Sequence, residues 1–438
     1  MARPLWLLRI FSDYGMLGVL LLLCLACTLG TIELRRPAGL QAAKIVAEQI
    51  GAYPAGPRLV IVSKDKRFID ELQRILDEAD APVVEMITGE PSAMRKRLQR
   101  LIDQGQQIDV IATTTADTQM VEKVLGDSPQ MQIVHAKPYW RSTFLTISNL
   151  LTVAKKNMDI ALIAVGMTMV IITGGIDLSV GSVVALSAMV AAMLIVSAGG
   201  NQATPGEMAL CSLAAIAVCA AVGSFSGLMI TVFRVPAFVA TLAMLWVAKG
   251  LAFLVSSGET ILLPKSYSRL EKGADVLGIP NTLILMIVVY AIAHVVMSRS
   301  TLGRHIYAIG GNRQAARLSG IRVNRNLLIV YTISGAMAGL AGVILASRFH
   351  SGTPTYGQMY ELYAIAAVVI GGTSLAGGEG KIFGTLIGVL IIAVVQTAMN
   401  LLAISTYWQH VTLGMIVLLV VVLDMMKRHG WRRMFTAE

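Results

Sequence analysis

The 438-residue chain is short of charge. Asp, Glu, Lys and Arg make up 14% of it, against about a quarter in an ordinary soluble domain. Set beside 55% apolar residues and a mean hydropathy of +0.69, this deficit excludes a single soluble globular enzyme and a disordered chain, and implies several membrane spans. Cysteine is scarce too. The four present, Cys24, Cys27, Cys211 and Cys219, all lie in apolar runs. Cys24 and Cys27 have CxxC spacing, but no histidine stands near to complete a metal site, so they read as small packing residues. A GxxxxGK[ST] phosphate loop is missing: Gly380-Lys381 is followed by Ile382, and Leu375 takes the place of the first glycine. The chain is not its own P-loop motor.

The charge that exists is unevenly placed. Residues 32–142 hold 15 basic and 15 acidic side chains, while the other 327 residues hold 21 and 11, so the whole net charge of +10 belongs to the apolar part. That pattern marks the basic loops of a membrane protein, not a nucleic-acid binder. Ten apolar runs of about 20 residues are legible, at 12–31, 157–174, 178–198, 208–232, 236–256, 281–298, 327–346, 361–376, 382–402 and 407–425. The loop 298–326 carries Arg299, Arg304, Arg313, Arg317, Arg322 and Arg325 with no acid; the tail carries Lys427, Arg428, Arg432 and Arg433, and the amino end Arg3 and Arg9. The positive-inside rule places all three in the cytoplasm, and ten spans then put 32–142 outside. The first run reads as an uncleaved anchor, since no small-x-small site follows it before Glu33. An interfacial helix over 143–156 accommodates Lys155 and Lys156. Lys249 and Arg348 read as snorkelling cations, and Glu361 as an acid suited to a helix N-terminus or to a pore mouth.

The expected fold is an all-α polytopic membrane protein of about ten transmembrane helices with a small inserted α/β domain. Its parts are 1–31, a cytoplasmic end and first span; 32–142, the outer insert; 143–425, the membrane domain with a basic loop at 299–326; and 426–438, a cytoplasmic tail. Within the insert, strands are predicted at 59–62, 82–87, 108–112 and 131–134, and helices at 66–79, 91–104 and 116–125. Such alternation implies a parallel sheet covered on both faces. No GxGxxG or phosphate loop marks a nucleotide site, and Asp65, Asp117 and His135 form no recognisable catalytic set. Thr113-Thr114-Thr115 reads as a loop and helix N-cap, or as a ligand contact at a switch point.

Three strings in the membrane part carry chemistry. Thr173-Gly174-Gly175-Ile176-Asp177-Leu178-Ser179-Val180-Gly181-Ser182 breaks an apolar run. It reads either as a structured turn near a transport path or as a tight turn at the cytoplasmic interface with Asp177 as N-cap. A related string, Gly371-Gly372-Thr373-Ser374-Leu375-Ala376-Gly377-Gly378, matches it at an offset of 197 and hints at an internal repeat. The third lies in the basic loop, where 313–319 forms a short helix with Asn312 as cap and Gly320 as stop, a natural docking element for a cytoplasmic partner.

These strings, with 364–375 and Tyr407-x-Gln409, make residues 143–425, together with the first span, resemble the ribose/xylose-type permeases of bacterial ABC sugar importers. The resemblance implies an inner-membrane subunit that is not itself an enzyme and works with a second permease copy or paralogue. A periplasmic binding protein would deliver a monosaccharide to it; ribose, xylose, other pentoses, hexoses, polyols and autoinducer-like sugars are among the family's substrates. A separate ATPase would use the ATP and Mg, and this chain would bind no cofactor or metal. The ATPase-coupling loop would comprise Gly311, Asn312, Ala315, Ala316, Arg317, Leu318, Ser319, Gly320 and Ile321. Translocation-path candidates are Gly174, Gly175, Asp177, Ser179, Glu361, Gly371, Gly372, Thr373 and Ser374. Two features depart from the family: the α/β insert stands where a short connection is usual, and Tyr363 where an acid is typical. An ion-coupled secondary transporter or channel using Asp177 and Glu361 is the competing reading. For the insert, a platform for the binding protein competes with a remnant domain.

Overall fold

The computed structural model describes residues 5–51, 57–79, 81–126, 131–268 and 280–429. Of the basic ends, Arg3, Arg432 and Arg433 lie outside the described residues, and Arg9, Lys427 and Arg428 are described as helical backbone alone. The chain divides into two compact units, Thr31–Thr143 and a second made of Met1–Gly30 with Phe144–Glu438.

The second unit opens with helix α1 (Leu5–Gly30), and the chain then enters the α/β unit. There β1 (Ile32–Arg35) pairs antiparallel with β6 (Tyr139–Ser142). Between them run α2 (Gly39–Ile50), β2 (Leu59–Val62), α3 (Lys66–Glu78), β3 (Val83–Ile87), α4 (Pro91–Asp103), β4 (Val110–Thr113), α5 (Thr118–Leu125) and β5 (Gln132–His135). The four central strands form a parallel sheet in the order β3-β2-β4-β5. Alternation along β2 sends Leu59 and Ile61 to the face covered by Ala42, Val46, Phe68 and Leu72 of α2 and α3. Val60 and Val62 face Met94, Leu98 and Val121 of α4 and α5. Sequence reading located the parallel sheet but missed α2, whose buried stripe of Ala42, Ala43 and Val46 is too small-sided to stand out, and the β1–β6 pair. The threonine run closes β4 with Thr113 and continues as a loop, with every hydroxyl engaged inside the unit. Thr113 donates to the Val62 carbonyl, Thr114 to Asp117, and Thr115 to the Ala136 carbonyl.

The rest of the membrane unit is helical. It comprises α6 (Ile147–Lys156), α7 (Met158–Ile172), α8 (Val180–Ser197), α9 (Pro205–Thr231), α10 (Ala237–Leu254), α11 (Asn281–Arg299), α12 (Thr301–Gly311), α13 (Arg313–Leu318), α14 (Val323–Phe349), α15 (Tyr360–Ile370), α16 (Ile382–Leu401) and α17 (Thr406–His429). Strands β7 (Ile261–Leu262) and β8 (Ser351–Gly352) form a short antiparallel pair. Among the described residues, α8, α9, α10, α11, α14 and α16 are long and apolar enough to cross a membrane, and Gly15–Gly30, α7 and α15 are shorter apolar helices. The runs read as 157–174 and 361–376 end early as helices because turns stop them at Ile172 and Ile370.

Helix α14 lies at the centre, packed on α7, α8 and α9. Close approach depends on small residues. A Cβ on Gly166 of α7 would lie 2.8 Å from the Ser334 Cα, and one on Gly339 would lie 2.9 Å from the Cys219 Cβ. Gly223 and Gly227 of α9, Gly335 and Gly339 of α14, and Gly384 and Gly388 of α16 are all GxxxG pairs. In lipid, where apolar surface gains nothing by leaving solvent, such pairs let backbones meet.

Candidate functional site

The two glycine-rich strings fold into the same turn. At the end of α7, the Gly174 amide donates to the Ile171 carbonyl and the Gly175 amide to the Val170 carbonyl, with Gly174 at φ 78°. At the end of α15, Gly372 donates to Val369 and Thr373 to Val368, with Gly372 at φ 86°. Both are Schellman motifs, which require the left-handed conformation at the residue after the cap. The structural correspondence is therefore Gly174 with Gly372, an offset of 198, one more than the offset read from sequence. The earlier pairing matched glycines by identity; the turns match by hydrogen bonds.

The third string meets both turns. The Gly378 amide donates to the Ile172 carbonyl at 2.8 Å, and the Tyr307 hydroxyl donates to the Gly380 carbonyl at 2.7 Å. A Cβ on Gly378 would stand 3.0 Å from the Gly311 Cα, and one on Gly377 3.2 Å from the Gly174 Cα. The end of α12 thus rests, backbone on backbone, against both broken helices. From Gly311 the chain turns into α13. Asn312 Oδ1 accepts from the Gln314 and Ala315 amides, and a further Schellman motif closes the helix, Gly320 donating to Arg317 and Ile321 to Ala316. Only Ala316 of this short helix is buried, in a small cluster with Ile309, Val323 and Leu327. Ala315, Arg317, Ser319 and Gly320 are exposed, and Leu318 is 90% exposed. Beside this helix lies a cavity of about 1040 Å³ floored by Gly174, Gly175 and Tyr331 and lined by Arg234, Arg313, Arg317, Arg322 and Arg325, with no acid among its lining residues.

Asp177 is buried among the helices. Its Oδ2 accepts from Ser334 Oγ at 2.8 Å, and Ser334 packs on Gly166 midway along α7. Its Oδ1 accepts from the Ser179 amide and hydroxyl. The N-cap of α8 is Ser179 itself, whose side chain makes no cap bond. The N-cap expectation for Asp177 is thereby corrected: 175–179 turns back among the helices, and Asp177 supports that extended stretch from inside. The Ile176 carbonyl accepts from Thr241 of α10. Glu361 sits where a Cβ on Gly181 would be, against the first turn of α8. Of the second turn, Thr373 and Ser374 are buried; Ser374 Oγ accepts from the Ala376 amide, and Thr373 Oγ1 has no partner among the described residues. Gly174 and Gly175 thus share one site with α12 and α13, joined by Gly377 and Gly378 from the loop after the second turn, whereas Gly371 packs on Gly384 of α16 and Asp177, Ser179 and Glu361 are held among α8, α14 and α15.

A further polar centre escaped sequence reading. Asp159 is wholly buried; its Oδ2 accepts from the Tyr360 hydroxyl at 2.7 Å and lies 3.9 Å from Arg348. Arg348 also donates to the Lys155 carbonyl. Arg348 therefore turns inward to a carboxylate and does not snorkel. Asp159, two residues past Asn157, looked like an ordinary acid at a helix start, and only the return of Tyr360 beside it, 201 residues later, reveals the pair. Lys249 lies over the Trp246 ring, 5.4 Å from its centroid.

A family model described as branched-chain amino acid transport system / permease component matches residues 149–421. The ribose import permease protein of Escherichia coli (strain K12) is 41% identical over 294 residues, covering 65% of this chain and 88% of the relative. The D-allose transport system permease protein of the same organism is 36% identical over 282 residues, 64% and 84%. The L-arabinose ABC transporter permease protein of Azospirillum brasilense is 36% identical over 291 residues, 66% and 84%. No solved structure matches the chain.

Proposed function

The chain belongs to the permease-component family of ABC importers, among its ribose/xylose-type sugar permeases, and on that premise we propose that it carries a monosaccharide across the bacterial inner membrane for a partner ATPase. The observation that carries this reading is the junction of α12 with both broken-helix turns. A short capped helix, exposed on one side and fastened to the membrane core on the other, is what an external motor needs in order to pull on a path. The arginine-lined cavity beside it suits an acidic docking surface. In this reading residues 311, 312 and 315–321 form the coupling element, the partner binds ATP and Mg, and Gly174, Gly175, Asp177, Ser179, Glu361 and 371–374 flank the path.

Relatives named for ribose, allose and arabinose favour a neutral monosaccharide over an amino acid, despite the wording of the family description. Ten spans follow if α1, α7, α15 and α17 join the six long helices, with both termini cytoplasmic and 32–142 periplasmic. A second permease copy or paralogue completes the path, and a periplasmic binding protein delivers the sugar, with the insert serving as a platform for it. Deleting 36–138 tests the platform: full binding-protein-dependent uptake after the deletion refutes it.

The test of the whole reading is reconstitution of this chain in vesicles with its ATPase and binding protein. ATP-dependent sugar uptake that stops when 315–321 is scrambled, with insertion intact, is the expected result. Uptake by this chain alone without ATP, driven by a proton gradient and lost in Asp177→Asn, would overturn it in favour of an ion-coupled transporter.

A further inference from the structure

A cavity of about 430 Å³ opens among Asn157, Arg348, Tyr360, Tyr363, Gln396 and Asn400. Its volume lies in the usual range of small-molecule pockets, roughly 300–1,000 Å³. It stands at the end of the unit opposite the coupling element. Asn157 precedes the first residue of α7 while Ile172, the last, touches the α12 junction, about 22 Å away along the helix axis. Arg348 is the penultimate residue of α14, whose first residue, Val323, lines the arginine cavity.

The polar groups are arranged for a ligand with many hydroxyls. Gln396 and Asn400 stand one turn apart on α16. Gln396 and the Tyr363 hydroxyl have no hydrogen-bond partner among the described residues. The Asn400 carbonyl oxygen accepts from Gln409, which also donates to the Ile404 carbonyl, so Asn400 keeps its own amide N–H groups as donors; Asn157 spends one donor on the Val153 carbonyl and keeps its oxygen as an acceptor. Tyr360 is fixed by its bond to Asp159, and Tyr363 meets it nearly edge-on, with ring centroids 6.5 Å apart and planes at 77°, forming an aromatic corner. Arg348 is already matched by Asp159 and the Lys155 carbonyl, which leaves Lys156 as the other cation on the lining. A polar side chain near a helix end is ordinary; four separate segments sending donors, acceptors and rings into one cavity is not. The mixture suits an uncharged polyol ring, which needs both donors and acceptors and offers an apolar face to an aromatic side chain.

We propose that this cavity is a monosaccharide subsite within the permease, which receives the sugar at the end of the path remote from the motor. It rests on the transport reading above and adds that this chain, and not the binding protein alone, discriminates among sugars through Gln396 and Tyr363. The binding protein's own preference is the same for every permease variant, so a change in relative uptake reports this cavity.

The experiment uses the complete transporter in vesicles with labelled D-ribose and 2-deoxy-D-ribose as probes. Gln396→Leu and Tyr363→Phe should lower the ribose-to-deoxyribose uptake ratio by about fivefold or more, because a site that hydrogen-bonds a hydroxyl discriminates through it. A uniform fall in both rates with an unchanged ratio in both variants overturns the subsite and leaves the transport reading standing. If wild-type transporter moves no sugar, the transport reading falls and takes the subsite with it. Should these variants fail to assemble, Thr397→Cys on the same lining is labelled with a membrane-impermeant maleimide. Labelling slowed severalfold by D-ribose supports the subsite; a rate indifferent to sugar refutes it.

Discussion

The insert and the membrane unit both bury apolar cores, yet they are held together by opposite means. In the insert, bulky side chains do the packing: Phe68, Leu72 and Leu76 of α3 and Met94 and Leu98 of α4 cover the two faces of a valine- and isoleucine-rich sheet. The charge lies outside, as in the Arg97–Glu85 pair and the pairing of Arg74 with Glu71 and Glu78. Water drives that arrangement, since each large side chain gains by leaving it. In the membrane unit the contacts are made by what is missing from the side chain. Gly223 meets Gly335, Gly339 meets Cys219, and Gly388 meets the Ala367 carbonyl. Hydroxyls then bridge the helices: Thr168 with Thr385 and Ser224 with Thr332 at 2.7 Å each, and Ser187 donating to the Gly339 carbonyl at 2.6 Å. Where lipid replaces water, nearness of backbones supplies the cohesion. Side-chain bulk therefore holds one unit together and its absence the other.

Substitutions break or sharpen this contrast. The largest effect is expected from Gly335→Leu, which forces α14 from α9; folded transporter should be lost from the membrane, read by detergent chromatography. The same enlargement at exposed Ala93 of the insert should leave yield unchanged. Arg348→Met strands the buried Asp159 carboxylate and should cost about 3–5 kcal/mol, seen as a lowered unfolding temperature. Leu72→Ala should destabilise the insert by about 2–5 kcal/mol through its cavity. Hydrogen exchange should then rise over 59–135 and remain unchanged in α14. Asn312→Ala removes the cap of α13 and should cost about 1 kcal/mol of local helix stability, lowering uptake with no change in yield. The smallest effect belongs to Arg74→Ala. The hydrogen bond from Arg74 holds the Glu71 carboxyl below its usual range, so the pair contributes stability above the unfolded carboxylate pKa and loses it as pH falls through the lowered folded value. On the surface that contribution is slight, and unfolding curves at neutral and acidic pH should be nearly superimposable with wild type.

The contrast also explains what could be read in advance. Strand–helix alternation and the Asn312–Gly320 bracket were visible because they depend on local pattern, and the structure has both the parallel sheet and the short helix. Local pattern failed where partners are distant in the chain. Asp159 with Tyr360, and Asp177 with Ser334, are separated by 201 and 157 residues. Nothing around Asp177 distinguishes an interfacial turn from one that re-enters the helical layer. The offset of 197 was a glycine coincidence one residue out of step with the hydrogen bonds. Helix lengths were overstated at 157–174 and 361–376 because hydropathy does not register where a glycine turns the backbone.

The junction at Gly310, Gly378 and Ile172 has one more consequence. Side chains absorb small movements by changing rotamer, like cushions between panels. Here there are none to yield: main chain lies directly on main chain, and the Gly378 amide is pinned to the Ile172 carbonyl. Such a seam has no slack. A displacement of α12, which leads directly into α13, therefore bears on the Ile172 end of α7 and on the loop after α15 through main-chain contact.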